Sequence, residues 1–109
     1  MPAMGGVALF VYGTLKDDGR LEDLTGRRFR RRRATLEGFA RVLGAHGYPT
    51  IVPQADGRVE GVLVEYVDAA SLAALDAYED EGRLYARRPA EVLADGEHVA
   101  CEVYVSLTP

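Results

Sequence analysis

The fold of this chain is decided by residues 7–15, which read VALFVYGTL. The first six of these residues form a continuous apolar run that is too short for a core helix, and they predict a strand buried on both faces. Gly13 follows that strand and lets the backbone turn sharply. Successive N–H groups in such a turn can hold an anion or a carbonyl oxygen, although an ordinary turn is the alternative for a single Gly-Thr pair.

Further strand signals lie downstream. Residues 29–43 mix β-branched, apolar and arginine residues, and they predict a long strand at an exposed sheet edge with a bulge at Gly38. Asp-Gly pairs at residues 56–57 and 95–96 each separate two apolar segments, which is typical of tight hairpin turns. Together with the first strand, these signals predict five or six strands.

Helical signals are fewer. Residues 16–24 are polar and contain Gly19, so they predict a loop with at most a helical turn. Residues 72–78 predict a helix whose N-cap is either Asp68 or Ser71. The predicted fold class is therefore α+β: a small, partly closed mixed β-barrel flanked by short helices.

The composition fits one folded domain. The chain has 109 residues, of which 48% are hydrophobic and 28% charged, so we expect a single domain over residues 1–109, with residues 1–6 as a short N-terminal extension. No apolar stretch approaches the roughly 20 residues of a membrane helix, and residues 1–6 lack a secretory signal. We therefore expect a cytoplasmic protein with no membrane partner.

The charge distribution is uneven. The formal net charge is −4, yet residues 27–33 read RRFRRRR and carry six of the 13 basic side chains. Binding of nucleic acid or an acidic surface through Arg27–Arg33 would use phosphate contacts and weaken with salt. The acidic balance and the lack of interleaved aromatic residues beyond Phe29 argue against it. We interpret the run as an exposed strand that partly pairs with acids and at most attracts an acidic substrate.

The inventory of reactive side chains is small. It consists of Ser71, Ser106, His46, His98 and Cys101. The sequence contains no Gly-x-Ser-x-Gly elbow, no Gly-x-x-x-x-Gly-Lys-Ser/Thr phosphate loop and no His-Glu-x-x-His zinc helix. A single cysteine allows neither an intramolecular disulfide nor a cysteine metal cluster. We therefore expect no metal and no cofactor.

The predicted helix places one acid on its apolar side. At about 100° per residue, that side carries Leu72, Leu75, Tyr78 and Glu79. A half-buried carboxylate of this kind is what a general base near neutral pH requires. Asp76 and Asp80 point away from this side and are predicted to be ordinary solvent-exposed acids.

The alternative is a helix that frays before Glu79. The Glu79 carboxylate would then reach water or pair with Arg83, Arg87 or Arg88. Negative charge at a helix C-terminus costs roughly 0.3 to 1 kcal/mol, which favours this alternative when the helix is considered alone.

Four short motifs follow one another along the chain. They are VYGTL at residues 11–15, GYP at 47–49, VEGVL at 59–63, and LDAYE at 75–79 followed by YARR at 85–88. In this order and spacing, they resemble the gamma-glutamylcyclotransferase-like family. Its corresponding motifs are a Tyr-Gly-Ser/Thr-Leu loop, a Gly-x-Tyr-Pro segment, a following strand, and a Leu-Asp-x-Tyr/Phe-Glu-Gly and Tyr-x-Arg block. The resemblance covers almost the whole chain.

The sequence departs from the family pattern at one place. The family commonly has glycine directly after the glutamate, whereas here residues 80–82 read Asp-Glu-Gly. This resembles a two-residue insertion and leaves Glu79 and Glu81 as alternatives for the matching residue. Glu79 is preferred, because it keeps the four-residue spacing from Leu75 and the position on the apolar side.

The resemblance implies a small mixed β-barrel with short helices and a reaction on γ-glutamyl amides. The substrate's own α-amine attacks the γ-carbonyl, which gives 5-oxoproline and a free amine and gains from proximity. By resemblance, Glu79 is the general acid and base, and Tyr12 lines the cavity. The N–H groups of Gly13, Thr14 and Leu15 are expected to hold the glutamyl end.

Other parts of the expected site are less specific. Tyr48, Tyr85 and Arg87 are candidates for pocket walls or for support of the loop, although structural packing explains each of them equally well.

The expected partner is a small γ-glutamyl compound, and the expected assembly is a monomer or a weak homodimer. The leaving amine stays open between an amino acid, a lysine isopeptide and a protected metabolite. The alternative function is a small-molecule-binding module of the same fold without catalysis.

Overall fold

The computed structural model describes residues 6–45 and 47–107. Within these ranges the chain forms five strands, two α-helices and one 3₁₀ turn. In chain order they are β1 (Val7–Val11), the 3₁₀ turn (Thr14–Lys16), α1 (Asp18–Thr25), β2 (Arg30–Leu43), β3 (Pro49–Val67), α2 (Ala69–Glu79), β4 (Tyr85–Ala94) and β5 (Glu97–Ser106). The predicted N-terminal extension, residues 1–6, lies outside the described residues except for Gly6.

The strands close into a barrel in the order β1-β3-β2-β4-β5. β1 pairs in parallel with β5, and the other neighbours are antiparallel. This arrangement confirms the predicted α+β class and the mixed β-barrel. The prediction that residues 29–43 form an exposed edge is wrong, because closure of the barrel places β2 between β3 and β4.

The long β2–β3 ribbon corrects one predicted hairpin. β3 runs without a break through residues 56–57, where the Asp-Gly pair predicts a tight turn. The pairing with β2 shifts register beside Gly38, so the irregularity predicted at this position is present, but the extra residues, 54–57, lie on β3 opposite that single glycine. β3 pairs with β2 on both sides of this irregularity, and that continued pairing outweighs the local turn preference.

The second predicted hairpin is confirmed. β4 and β5 pair along their whole length, and the turn between them consists of Asp95 and Gly96. Both residues have positive φ angles, 52° and 77°. A two-residue hairpin with this geometry favours an Asp-Gly pair.

Helix α1 corrects the loop predicted at residues 16–24. Asp17 caps the helix, since its side chain accepts a hydrogen bond from the Gly19 N–H at 2.9 Å. Gly26 ends the helix in the left-handed conformation, with φ 72°. Leu21 is completely buried. Two good caps and the burial of Leu21 outweigh the low helix propensity of Gly19.

Helix α2 confirms the predicted helix and settles its N-cap. The Asp68 side chain accepts a hydrogen bond from the Ser71 N–H at 3.1 Å, so Asp68 is the cap. The helix includes Glu79 and ends at Asp80, whose φ is 57°. The helix therefore does not fray before Glu79.

The buried side chains form two clusters on opposite sides of the sheet. One cluster fills the barrel and includes Phe10 and Leu63, whereas the other packs the helices on the barrel and includes Leu9, Leu21 and Leu75. Side chains alternate along a strand, so β1 contributes to both clusters, as expected for a strand buried on both faces. The turn that follows β1 therefore starts from an element that is fixed on both sides.

Gly61 marks a close contact between β3 and β1. A Cβ atom at this position would lie 2.4 Å from the Val11 carbonyl oxygen and 2.7 Å from the Phe10 ring. The carbonyl cannot yield without moving β1. We therefore expect Gly61→Ala to lower the free energy of unfolding, measured with urea, by about 2 kcal/mol or more.

Gly19→Ala is the matched control for this prediction. The nearest atom to its new Cβ would be a side-chain oxygen of Asp17 at 3.3 Å, which can move. Alanine also favours a helix more than glycine does, so we expect a change within about 1 kcal/mol. Equal losses in the two variants would contradict the close contact at Gly61.

Candidate active site

A cavity of about 290 Å³ opens beside the C-terminal end of β1. Its wall combines that strand end and the following turn with the loop before β3, the end of α2, and parts of β4 and β5. The lining residues are Phe10, Val11, Tyr12, Gly13, Thr14, Leu15, Tyr48, Pro49, Tyr78, Glu79, Leu84, Tyr85 and Tyr104. The fold thus brings the predicted residues 12–15 and Glu79 together at one site.

The turn after β1 carries backbone donors at the cavity wall. Gly13 has φ −121° and ψ −134°, and the 3₁₀ turn begins at Thr14. Its hydrogen bonds run from the Lys16 N–H to the Gly13 carbonyl at 3.0 Å and from the Asp17 N–H to the Thr14 carbonyl at 3.1 Å. The first N–H groups of a helical turn have no carbonyl partner within it. Those of Thr14 and Leu15 are therefore suited to bind an anion or a carbonyl oxygen.

Tyr12 forms a fixed part of the cavity wall. Its side chain is 6% exposed, and its hydroxyl donates a hydrogen bond to the Tyr104 carbonyl at 2.5 Å. Burial raises the pKa of Tyr12 well above its ordinary value of 10. The hydroxyl therefore keeps its proton and holds β1 against β5 at the site.

Glu79 is the only acid that lines the cavity in the described part of the chain. Its carboxylate makes no hydrogen bond or ion pair with another described residue. Burial raises the pKa of Glu79 from an ordinary value of 4.5 to about 7. A carboxyl group with a pKa near neutrality can take up a proton and return it within one reaction cycle.

Of the three arginines that the sequence offers as partners of Glu79, Arg83 and Arg87 pair with other acids, and Arg88 is exposed without an ion pair to Glu79. Arg83 pairs with Asp80 at 2.5 Å, and Arg87 pairs with Asp76 at 3.0 Å. The Glu79 carboxylate is therefore left facing the cavity without a counter-charge from any of the three.

Glu81, the alternative to Glu79, lies elsewhere. It is exposed and does not line the cavity. Its carboxylate accepts a hydrogen bond from the Arg87 N–H at 3.4 Å. The geometry therefore favours Glu79 as the acid of the site.

Of the three remaining candidate residues, two line the cavity and one does not. Tyr48 and Tyr85 line the cavity, and the Tyr85 hydroxyl donates a hydrogen bond to the Pro49 carbonyl at 2.7 Å. Burial, together with the nearby Glu79 and Tyr48, raises the pKa of Tyr85. Arg87 does not line the cavity.

Asp76 corrects a prediction made from the helix alone. The isolated helix predicts an ordinary solvent-exposed acid, but both Asp76 carboxylate oxygens accept hydrogen bonds from Arg87 at 3.0 Å. One oxygen also accepts a hydrogen bond from the Tyr104 hydroxyl at 2.6 Å. Partial burial raises the pKa of Asp76, but the bonds from Arg87 and Tyr104 outweigh it and hold the pKa below its ordinary value. Asp76 therefore fixes α2, one turn before Glu79, to β4 and β5.

We expect Arg87→Ala to lower the free energy of unfolding by about 2 to 4 kcal/mol. Arg87 also pairs with Glu102, so its removal leaves two partly buried carboxylates, Asp76 and Glu102, without their cation. Urea unfolding measures the loss. Arg83→Ala is the control, because the exposed Arg83–Asp80 pair contributes about 1 kcal/mol or less. Similar losses in both variants would mean that the Asp76–Arg87 pair does not hold α2.

Other reactive side chains lie away from the cavity. Ser71, Ser106 and Cys101 are buried and are not among its lining residues. Burial raises the pKa of the Cys101 thiol to about 12, so it is not a thiolate nucleophile at neutral pH. His98 is exposed and lies 3.4 Å from Glu91, while His46 lies outside the described residues.

Over residues 6–45 and 47–107, no group of three histidine, cysteine or acidic side chains converges in a way that could hold a metal ion. Neither helix in these ranges is long and apolar enough to cross a bilayer.

The arginine run is largely occupied by ion pairs. Its contacts to carboxylates are Arg27–Asp68, Arg28–Glu22, Arg30–Glu65, Arg31–Asp18, and Arg32 with Glu65, Asp95 and Glu97. Arg32 is the least exposed of these arginines, at 16%, and forms a two-pronged contact with Glu65 at 3.1 and 3.3 Å. These ion pairs therefore connect β2 and the residues just before it to α1, β3, the start of α2 and the β4–β5 hairpin.

Comparisons with known proteins identify the family. The sequence profile described as gamma-glutamyl cyclotransferase, AIG2-like, matches residues 9–109. The chain belongs to this family. It is 35% identical over 100 residues to AIG2-like protein C of Arabidopsis thaliana, a match that covers 89% of this chain and 57% of that protein. The chain thus spans little more than half the length of this relative.

Solved structures agree with the family assignment. A solution structure of an Arabidopsis thaliana protein is 31% identical, with a TM-score of 0.81 over 93% of this chain and 68% of that one. An AIG2-like protein from Mus musculus is 29% identical, with a TM-score of 0.72 over 94% and 78%. A gamma-glutamyl cyclotransferase shares the fold, with a TM-score of 0.83 over 94% and 67% of the two chains at 20% identity.

Proposed function

We propose that this protein cleaves a γ-glutamyl amide by intramolecular attack of the α-amine, releasing 5-oxoproline and a free amine. The observation that carries the proposal is the Glu79 carboxylate, which lines the cavity without an ion-pair partner among the described residues. Membership in a family that includes gamma-glutamyl cyclotransferases supports the reaction type.

The chemistry requires little of the protein beyond a base and hydrogen-bond donors. The substrate supplies the nucleophile, which agrees with a cavity that contains no serine or cysteine among its described lining residues. Holding the γ-glutamyl chain in a folded conformation brings the α-nitrogen close to the γ-carbonyl carbon. Proximity then lowers the barrier to closing the five-membered ring.

Glu79 moves the protons in this scheme. It takes a proton from the α-ammonium group, and the freed nitrogen lone pair forms the lactam C–N bond while the carbonyl electron pair moves to oxygen. When that oxyanion collapses, the bond to the leaving nitrogen breaks and the Glu79 carboxylic acid protonates this nitrogen. The attacking nitrogen also sheds a second proton, which the released amine takes up. The reaction therefore consumes neither water nor net protons.

The turn after β1 stabilises the glutamyl end. The N–H groups of Gly13, Thr14 and Leu15 provide donors for the α-carboxylate and for the oxyanion, which gains charge during the attack. Tyr12, fixed by its bond to the Tyr104 carbonyl, closes one side of this pocket. The apolar residues of the cavity lining lower the local dielectric constant, which strengthens these interactions.

An assay for 5-oxoproline tests the proposal. The protein is incubated with γ-glutamyl amino acids, a γ-glutamyl lysine isopeptide and simple γ-glutamyl amines, and 5-oxoproline and the free amine are quantified together. Equimolar release of the two products is the expected result. Release of glutamate instead would indicate hydrolysis by water and would contradict the mechanism.

Binding without turnover would favour the alternative, a non-catalytic module of the same fold. A thermal-shift comparison of 5-oxoproline with γ-glutamyl compounds identifies this case, since a ligand that binds only the folded state raises the unfolding temperature. The cytoplasmic location, the monomeric or weakly dimeric state and the absence of a nucleic-acid partner stay predictions.

A further inference from the structure

Arg20 on α1 does not line the cavity but contacts Tyr78, which does, and this contact places Arg20 at the cavity rim. Its guanidinium group lies 5.9 Å from the centre of the Tyr78 ring and donates a hydrogen bond to the Tyr78 hydroxyl at 3.4 Å. The same hydroxyl is hydrogen-bonded to the Thr14 side chain at 2.8 Å. Tyr78 and Thr14 both line the cavity, and Tyr78 directly precedes Glu79. The contact with Tyr78 therefore holds the Arg20 guanidinium group close to Glu79.

Arg20 has no carboxylate partner among the described residues, in contrast to the nearby run. Arg27, Arg28 and Arg31 each pair with an acid. Arg20 has five N–H donors and uses one of them on Tyr78. The remaining donors of an exposed, planar guanidinium group are suited to a carboxylate from a ligand.

The position of Arg20 also indicates which part of a substrate it would meet. The glutamyl end is assigned to the turn at residues 13–15, and the scissile amide must lie at Glu79. If the leaving amine continues from Glu79 past the neighbouring Tyr78, it reaches Arg20. The described lining of the cavity contains one acid, Glu79, and no Lys or Arg, so an acidic leaving group would find its cation only at the rim.

We propose that Arg20 selects γ-glutamyl amides whose leaving amine carries a carboxylate, an inference that rests on the proposed function. Arg20 is thus a specificity-determining residue, because it contacts the part of the substrate that does not react. It acts on substrate binding more than on the chemical step.

A matched pair of substrates tests this inference. γ-Glutamyl-alanine and γ-glutamyl-alaninamide have nearly the same shape and differ by one negative charge on the leaving amine. We expect kcat/KM to favour γ-glutamyl-alanine by roughly three- to tenfold, as for an exposed ion pair. Arg20→Ala should bring this ratio close to one by raising KM for γ-glutamyl-alanine, and Arg20→Lys should retain part of the preference.

Two controls separate recognition from general effects. Arg33→Ala removes an exposed arginine of β2 that does not line the cavity, and it should leave the ratio unchanged. Raising the salt concentration from about 0.05 M to about 1 M should reduce the wild-type ratio, because screening weakens an exposed charge pair. If Arg20→Ala slows both substrates equally, Arg20 acts on the glutamyl end or on Tyr78, and the inference is overturned.

Calorimetric binding of the same two compounds keeps this test independent of turnover. If neither compound yields 5-oxoproline, the proposed function fails. A preference of the wild-type protein for γ-glutamyl-alanine that Arg20→Ala removes would still support the inference. Equal affinities of both compounds for the wild-type protein would overturn it.

Discussion

Replacing Glu79 with glutamine is expected to lower kcat for 5-oxoproline release by about 10²- to 10⁴-fold, the usual contribution of general acid–base catalysis. Glutamine keeps the shape and polarity of the side chain but can neither take up nor return a proton. The variant should retain its affinity for γ-glutamyl compounds, because the turn at residues 13–15 is unchanged. Product release by wild-type and variant protein, followed under substrate saturation, measures the effect.

Glu81→Gln is the control for this variant. Glu81 is exposed, lies two positions further along the chain and does not line the cavity, so its replacement should change kcat by about twofold or less. A large loss in Glu81→Gln with normal turnover in Glu79→Gln would assign the base to Glu81 and contradict the proposed mechanism.

The pH profile gives an independent reading of the same group. Because the base must be unprotonated in the free enzyme, kcat/KM should rise with pH and bend near the Glu79 pKa of about 7. A bend near 4.5, the ordinary value for a glutamate, would mean that the base is solvated. The Glu79→Gln variant should lose the bend together with its activity.

Local signals predicted the elements that carry the site. The apolar run before Gly13 and the Asp-Gly pair at residues 95–96 are short-range features, and the structure confirms both. The spacing of Leu75 and Glu79 likewise placed the acid on the buried side of α2, where Glu79 lines the cavity. In each case the decisive contacts are made within a few residues of the pattern.

Contacts between distant elements could not be predicted in this way. The Asp-Gly pair at residues 56–57 reads as a turn until its strand pairs with β2 on both sides. Asp76 appears solvent-exposed on the isolated helix, yet Arg87 and Tyr104 approach it from β4 and β5. The positions of β4 and β5 relative to α2 depend on closure of the barrel, and no local sequence pattern predicts that closure.

Helix α1 illustrates a third case, in which the sequence contains opposing local signals. Asp17 is a good N-cap and Gly26 a good C-terminal stop, but Gly19 lowers the helix propensity of the segment. The contact of Arg20 with Tyr78 depends on α1 packing beside α2, so the local sequence does not predict it.

Glu79→Gln should also make the protein more stable above neutral pH. The pKa of Glu79 is about 7 in the folded protein against an ordinary value of 4.5, so the folded state holds a proton that the unfolded chain has already lost. Below pH 4.5 both states are protonated and Glu79 has no effect. Between these values unfolding releases the proton, so wild-type stability falls with rising pH and levels off above 7.

The resulting difference is large enough to measure. A raised pKa of this size corresponds to about 3 kcal/mol, which Glu79→Gln avoids because glutamine does not ionise. The variant and wild type should therefore unfold at similar urea concentrations near pH 4 and diverge as the pH approaches 8, with the variant more stable. Glu81→Gln should show no such divergence, since Glu81 is exposed. A constant difference at all pH values would contradict the burial of an ionisable Glu79, whatever the outcome of the activity assay, because this measurement depends on the cavity and not on the substrate.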